Sequence, residues 1–272
     1  MTGSWSLHPE PGAMSRSKGF SLVELAVALA IIALLIAGAL IPLSTQMDVR
    51  NVADTRRSME SMRDAIIGFA QANGRLPCPA DGTVAAGVAG AGTEQVSGTV
   101  CTAAFGAVPW VTLGVPETDG WSRRFSYWVS PVFSDAISLN TFGCAPPPTP
   151  APTQSSFALC SLGTLTVNTR KESDHTVTAV GLVLPAVIIS HGKNGFGAYT
   201  PGGGPRLAVP AGTDEAANAT DAGTSFFSRI PTPAASGCND AAAGTFCEFD
   251  DIVVMIPSNT LIARMVAAGR LP

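Results

Sequence analysis

The sequence predicts an α+β protein: one long N-terminal helix whose outer half packs on an antiparallel sheet, followed by loops stapled by disulfides. Three observations carry this expectation. Phe20 to Leu43 is an apolar run whose only charged side chain is Glu24, and an amphipathic helical pattern continues from it. After residue 80 the chain changes to turns and short alternating runs, the pattern of strands. All six cysteines lie beyond the apolar run and their number is even, which favours disulfides in an oxidising compartment.

Residues 20–43 come first because they set the topology. At about 1.5 Å per residue the run reaches about 36 Å, enough for a hydrocarbon core of about 30 Å. Arg16 and Lys18 precede it, which by the positive-inside rule places the N-terminus in the cytoplasm and everything after Leu43 outside the inner membrane. A secretory signal cut after Ala39 would need a shorter apolar stretch. A plain anchor fits the length but explains neither Gly19-Phe20 nor Glu24, since a carboxylate in hydrocarbon costs about 2.5 to 3.5 kcal/mol and calls for a partner.

The octet Lys18-Gly-Phe-Ser-Leu-Val-Glu-Leu25 resembles the processing site of type IV prepilins and of the pseudopilins of type II secretion. The resemblance implies a pilin-like fold and a leader, residues 1–19, removed by prepilin peptidase between Gly19 and Phe20. It implies N-methylation of Phe20 and a filament in which Glu24 lies close to the amine of a neighbouring subunit. The partners it implies are the peptidase, other pilin or pseudopilin subunits, an inner-membrane assembly platform and membrane lipid. Met14-Ser-Arg-Ser-Lys-Gly19 is a short basic leader of the kind many type IV prepilins carry, so translation is expected to start at Met14.

Residues 44–73 extend the helix. Val52, Met59, Met62, Ile66, Phe69 and Ala70 recur at helical spacings among charged residues, an amphipathic pattern. Pro42 lacks an amide donor and should kink the helix near the outer boundary. Asn73-Gly74 supplies the stop, and Leu76-Pro77-Cys78-Pro79 prevents continuation.

Residues 74–272 form the β-rich part. Residues 80–108 and Ala145 to Thr153 are expected to be surface segments with little structure. Thr118 to Val129 pairs a turn with an alternating aromatic strand. It resembles the Asp-x-Trp-Gly-x-Pro-Tyr segment of major pseudopilins, with Asp119-Gly120-Trp121 retained and Ser122 and Arg124 in place of Gly and Pro. Thr176 to Ser190 holds two apolar strands, and Gly192-Lys-Asn-Gly195 reads as a hairpin turn. Asp250 to Ile256 is a further strand, and Thr260 to Ala268 a closing helix with Gly269 as its stop. Sequential pairing, Cys78 with Cys101, Cys144 with Cys160 and Cys238 with Cys247, gives the shortest disulfide loops.

Candidate chemistry is sparse. Ser190-His191 sets a nucleophile beside a base, but neighbouring side chains on a strand point to opposite faces. Gly192 to Gly197 lacks the Lys-Ser/Thr ending of a phosphate loop. Asp214, Glu215, Asn218 and Asp221 together with Asp250 and Asp251 offer hard oxygen ligands suited to calcium. Major pseudopilins hold a structural calcium in the corresponding loop, so the resemblance implies one here, at a different spacing. Zinc has no Cys-x-x-Cys pair to bind.

Removing Glu10, Arg16 and Lys18 with the leader takes 16 basic and 20 acidic residues to 14 and 19, a charge of about −5 with no nucleic-acid stripe. Arg123-Arg124 and Arg170-Lys171 are the local basic pairs, read as solvated faces of strands. The expected function is that of a structural subunit, a pseudopilin or minor pilin, and not an enzyme. The rivals are a tip adhesin or DNA-capturing minor pilin, and a membrane-tethered enzyme, which lacks a convergent acid, base and nucleophile.

Overall fold

A computed structural model describes residues 19–139, 142–242 and 244–271; within the first helix the side chains of residues 37–44 are outside the described set. Residues 1–18 of the leader, with the expected start at Met14, fall outside it too. The chain divides into two compact units, Met1–Asp48 and Val49–Pro272. Helix α1 (Leu22–Asn73) is assigned without interruption through position 42. In the first unit its side chains from Leu22 to Ile36 are exposed, almost all of them apolar. Among the described residues no helix is long and apolar enough to cross a membrane. The expected span, residues 20–43, runs into the side chains left undescribed.

The second unit is layered. After α1 come β1 (Val96–Ser97), β2 (Val100–Cys101), β3 (Phe105–Ala107), α2 (Trp110–Leu113), β4 (Ser126–Val129) and α3 (Pro131–Ser134). A short 3-10 turn leads to β5 (Leu165–Arg170), β6 (Val177–Leu184), β7 (Ala186–Ser190), α4 (Asp214–Asn218), β8 (Ser225–Phe227), β9 (Ile252–Ile256) and α5 (Ser258–Ala267). The central antiparallel sheet has the order β3-β4-β7-β9, and a second sheet, β6-β5-β8, mixes an antiparallel pair with a parallel one. Strands β1 and β2 form a separate ribbon.

Alternation along the central strands builds two cores. On one face Tyr127, Val129, Ala186, Ile188 and Ile256 meet Met59, Met62, Ile66, Ile67 and Ala70 of α1 and Leu261 and Met265 of α5. On the other, Trp128, Val187 and Ile189 meet Leu165, Val167, Leu184 and Phe226 of the second sheet. Each of the larger aliphatic side chains contributes about 1.5 to 3 kcal/mol by leaving water, so the outer half of α1 is fixed by the stripe its sequence displays. Gly74, at φ +73°, ends the helix as expected; a Cβ there would stand 2.2 Å from the Gln154 carbonyl oxygen.

The disulfides pair Cys78 with Cys101, Cys144 with Cys160 and Cys238 with Cys247, the sequential pattern. Three expectations need correction. Residues 80–108 are more than an unstructured surface: they hold three strands and bury Ala80 and Ala107 against Tyr199 and Trp110. The Cys78–Cys101 bond and a two-pronged Arg75–Glu94 ion pair hold the segment down. Gly192 to Gly195 is a turn without being a hairpin, because the next strand, β8, pairs with β5 and not with β7. The basic pairs are not wholly solvated faces: Arg124 is fully buried and Arg170 nearly so, while Lys171 is exposed. Arg124 binds Glu117 and the carbonyls of Gly82, Val84 and Pro201, clamping three loops.

The turn at Asp119 explains a departure seen in the sequence. Ser122 stands at φ +63°, left-handed backbone that favours glycine, the residue of the pseudopilin pattern. Asp119 closes the turn by accepting from the amides of Trp121 and Arg123, and from the Ser190 hydroxyl at 2.6 Å. Gly120 lies where a Cβ would press on the Asn51 backbone of α1.

Candidate functional site

Two places carry chemistry. The first is the start of α1. Ser21 and Glu24 cap the helix reciprocally: the Glu24 amide donates to the Ser21 hydroxyl at 3.1 Å, and the Ser21 amide donates to the Glu24 carboxylate at 3.0 Å. Ser-x-x-Glu is the sequence signature of a capping box, a role that the search for a charged partner of Glu24 overlooked. Gly19 and Phe20 precede the cap outside the helix and are exposed. Among the described residues a Cβ at Gly19 would meet nothing within 4 Å, so no packing among them requires glycine there.

The second is a carboxylate cluster. Glu215, Asp250 and Asp251 each offer an oxygen within 4.8 Å of the others. The Gly192–Gly195 turn serves this cluster: the amides of Lys193 and Asn194 donate to Asp250 Oδ2, and the Asn194 side chain donates to Glu215. The Asp250 amide donates to Glu215 Oε1 and the Asn218 amide nitrogen to Asp251 Oδ2. Asp250 Oδ1 and Asp251 Oδ1 are buried without a hydrogen-bond partner.

Burial first, then the Asp251 charge, pushes the Glu215 carboxyl up to about 8. Burial likewise raises Asp250 to about 6, against the pull of the Asn194 amide. Clustered, under-neutralised oxygens of this kind fit a hard divalent cation. Of the acidic residues singled out in the sequence, Glu215, Asp250 and Asp251 come together. Asp214 and Asp221 do not: Asp214 is ion-paired with Arg170 and Arg229, and Asp221 with Arg206.

Ser190 and His191 have separate partners, as strand geometry requires. His191 Nε2 lies 2.9 Å from the Ser126 hydroxyl, and its Nδ1 lies 3.5 Å from Asp251 Oδ1. Sequence reasoning missed this Ser126-His191-Asp251 alignment, whose members come from three separate segments. Ser126 and His191 are fully buried, and Arg206 donates to the Ser126 hydroxyl at 3.0 Å. The alignment therefore acts as an internal polar tie between β4, β7 and the start of β9.

Neither a curated protein nor a solved structure matches the chain. Residues 14–40 match the family model of the prokaryotic N-terminal methylation motif, the prepilin-type cleavage and methylation signal of type IV pilins and pseudopilins.

Proposed function

We propose that the protein is a structural subunit, a pseudopilin or minor pilin, of a type II secretion pseudopilus or a type IV pilus-like filament. It is held by residues 20–43 in the inner membrane, with the β-rich unit on the periplasmic side, until assembly. The observation that carries this is the methylation motif at 14–40 on an exposed apolar helix start. Prepilin peptidase cuts between Gly19 and Phe20 and methylates Phe20. The openness around Gly19 supports this, because the demand for glycine then comes from the peptidase groove. In the filament the new amine of Phe20 faces Glu24 of a neighbour. Glu215, Asp250 and Asp251 hold a structural calcium that fixes the C-terminal loops.

The test is expression with and without the peptidase, followed by mass measurement of the N-terminus. A methylated Phe20 terminus is expected only with the peptidase, and none for Gly19→Trp. An uncut chain, or a cut elsewhere, would overturn the proposal.

A further inference from the structure

Strand β6 is the anomaly on the surface of the second unit. Its residues, Val177-Thr-Ala-Val-Gly-Leu-Val-Leu184, include no charge and no proline, yet Val180 is 50% exposed and Leu182 62%. It ends the second sheet, and among the described residues its outer edge from Val177 to Leu182 has no backbone partner. Two other edges are covered. The outer edge of β8 is occupied by the Asn218 side chain, which bonds both the amide and the carbonyl of Phe227. That of β3 is occupied by Ala80, in reciprocal bonds with Ala107. A long, apolar, uncovered edge invites another strand.

We infer that β6 is an interface with a second copy of this chain, formed by antiparallel pairing of β6 with its counterpart. The twofold axis would fall between Ala179 and Val180, setting Val177 against Leu182 of the partner copy and joining the two three-stranded sheets into one. The apolar hollow of about 340 Å³ beside the strand, between Val180–Leu184 and Met255 with Pro257, would receive side chains of the incoming strand.

Two arguments select a second copy as occupant. The first is charge. The mature chain carries about −5, so two copies repel over most of their surfaces, whereas β6 is neutral along its length. Lys171 and Asp174, ion-paired with each other, flank its start, and antiparallel pairing carries these charges to opposite ends.

The second is area. One strand of about 26 Å buries far less than the about 800 Å² per partner of a stable soluble complex. The edge can close only between chains already held together, and exposed apolar helices anchored in one membrane do that. On this point the inference rests on the proposed function. The contact is isologous and closes on itself, so it pairs subunits and does not by itself propagate a filament.

The experiment uses the full chain in membranes, co-expressed in two tagged forms, with a benzophenone amino acid in place of Thr178. Irradiation is expected to give a covalent dimer containing both tags, its adduct lying within residues 177–184 of the other copy. Leu182→Lys, at an exposed position, should cut that adduct at least about tenfold while protease resistance of the monomer is unchanged. Adducts confined to lipid, to another protein or to another segment, or a dimer indifferent to Leu182→Lys, would overturn the inference. Gly19→Trp separates it from the filament reading: uncut chains should still cross-link through β6. Filaments formed without the adduct would remove β6 alone, and the adduct from a wild-type chain left uncut in the presence of the peptidase would remove the filament reading alone.

Discussion

Asp214 and Glu215 are adjacent in the first turn of α4 and equally buried, yet they are neutralised in opposite ways. Asp214 accepts from Arg170 through both oxygens and from Arg229 through one, a charge surrounded by charges. Among the described residues Glu215 accepts only from amides, and it faces Asp250 and Asp251, so its carboxyl holds its proton to about 8. One acid is a finished structural tie. The other needs a proton or a metal ion, and the difference lies in what the fold brings opposite, since the two residues share one helix and one burial.

The largest effect should come from breaking the finished side. Arg229 binds Asp214, Asp240 and the Cys247 carbonyl, and lies against the rings of Phe246 and Phe249. Arg229→Ala leaves the buried Asp240 without its cation and Asp214 with Arg170 alone, and should cost about 3 to 5 kcal/mol, read as a lower urea midpoint. Glu215→Gln in calcium-free buffer at pH 8 should cost little or raise the midpoint, because it removes a charge that the fold does not balance. Equal losses in the two variants would erase the distinction.

The next effect sharpens it by pH and metal. Glu215 rises on folding from 4.5 to about 8 and Asp250 from 3.8 to about 6. A raised carboxyl favours the folded state while protonated, so this stability is full below about pH 4, falls as pH rises and is gone above about 8. Calcium-free protein should therefore melt lower at pH 8 than at pH 5. Calcium at about a hundred times its Kd should restore about 2.7 kcal/mol, with a larger melting shift at pH 8, where fewer protons need displacing than at pH 5. Asp251→Asn should abolish the shift. A melting temperature indifferent to millimolar calcium at pH 8 would assign the cluster to protons alone.

What the sequence revealed followed what is local. The stripe Met59, Met62, Ile66 and Ala70, the stops at Gly74 and Gly269, the strands around Trp128 and Ile188 and the short disulfide loops all depend on neighbours in the chain, and the structure shows them. Long-range pairing was illegible. Nothing local says that Asp214 meets Arg170 and Arg229 while Glu215 meets Asp250, or that Arg124, in a paired-charge motif, is buried among carbonyls. Strands β6 and β7 make the same point: both read as apolar, yet β7 is buried on both faces and β6 is exposed. Hydrophobicity marked both as strands, but strand order, a global property, decided which of them was covered.

Glu24 is a third kind of carboxylate, and it gives the smallest and most discriminating test. Its present partner is the Ser21 amide, whereas the cation proposed for it, the amine of Phe20 on a neighbour, exists only after cleavage. The cap and the charge can be separated, because a capping box accepts Gln in place of Glu while Gln carries no charge. Glu24→Val removes the charge and the carboxylate half of the capping box but leaves the Ser21 hydroxyl on the residue-24 amide, so the helix start should lose less than the about 0.5 to 2 kcal/mol of a lost N-cap. Both variants should insert and be cut between Gly19 and Phe20, since Glu24 lies outside the cleaved bond. Glu24→Gln should still lower incorporation into sheared filaments about tenfold, equivalent to about 1.4 kcal/mol, and Glu24→Val somewhat more, the excess reporting the cap. Normal incorporation of Glu24→Gln beside a defect in Glu24→Val would show that Glu24 serves its own helix and not its neighbour.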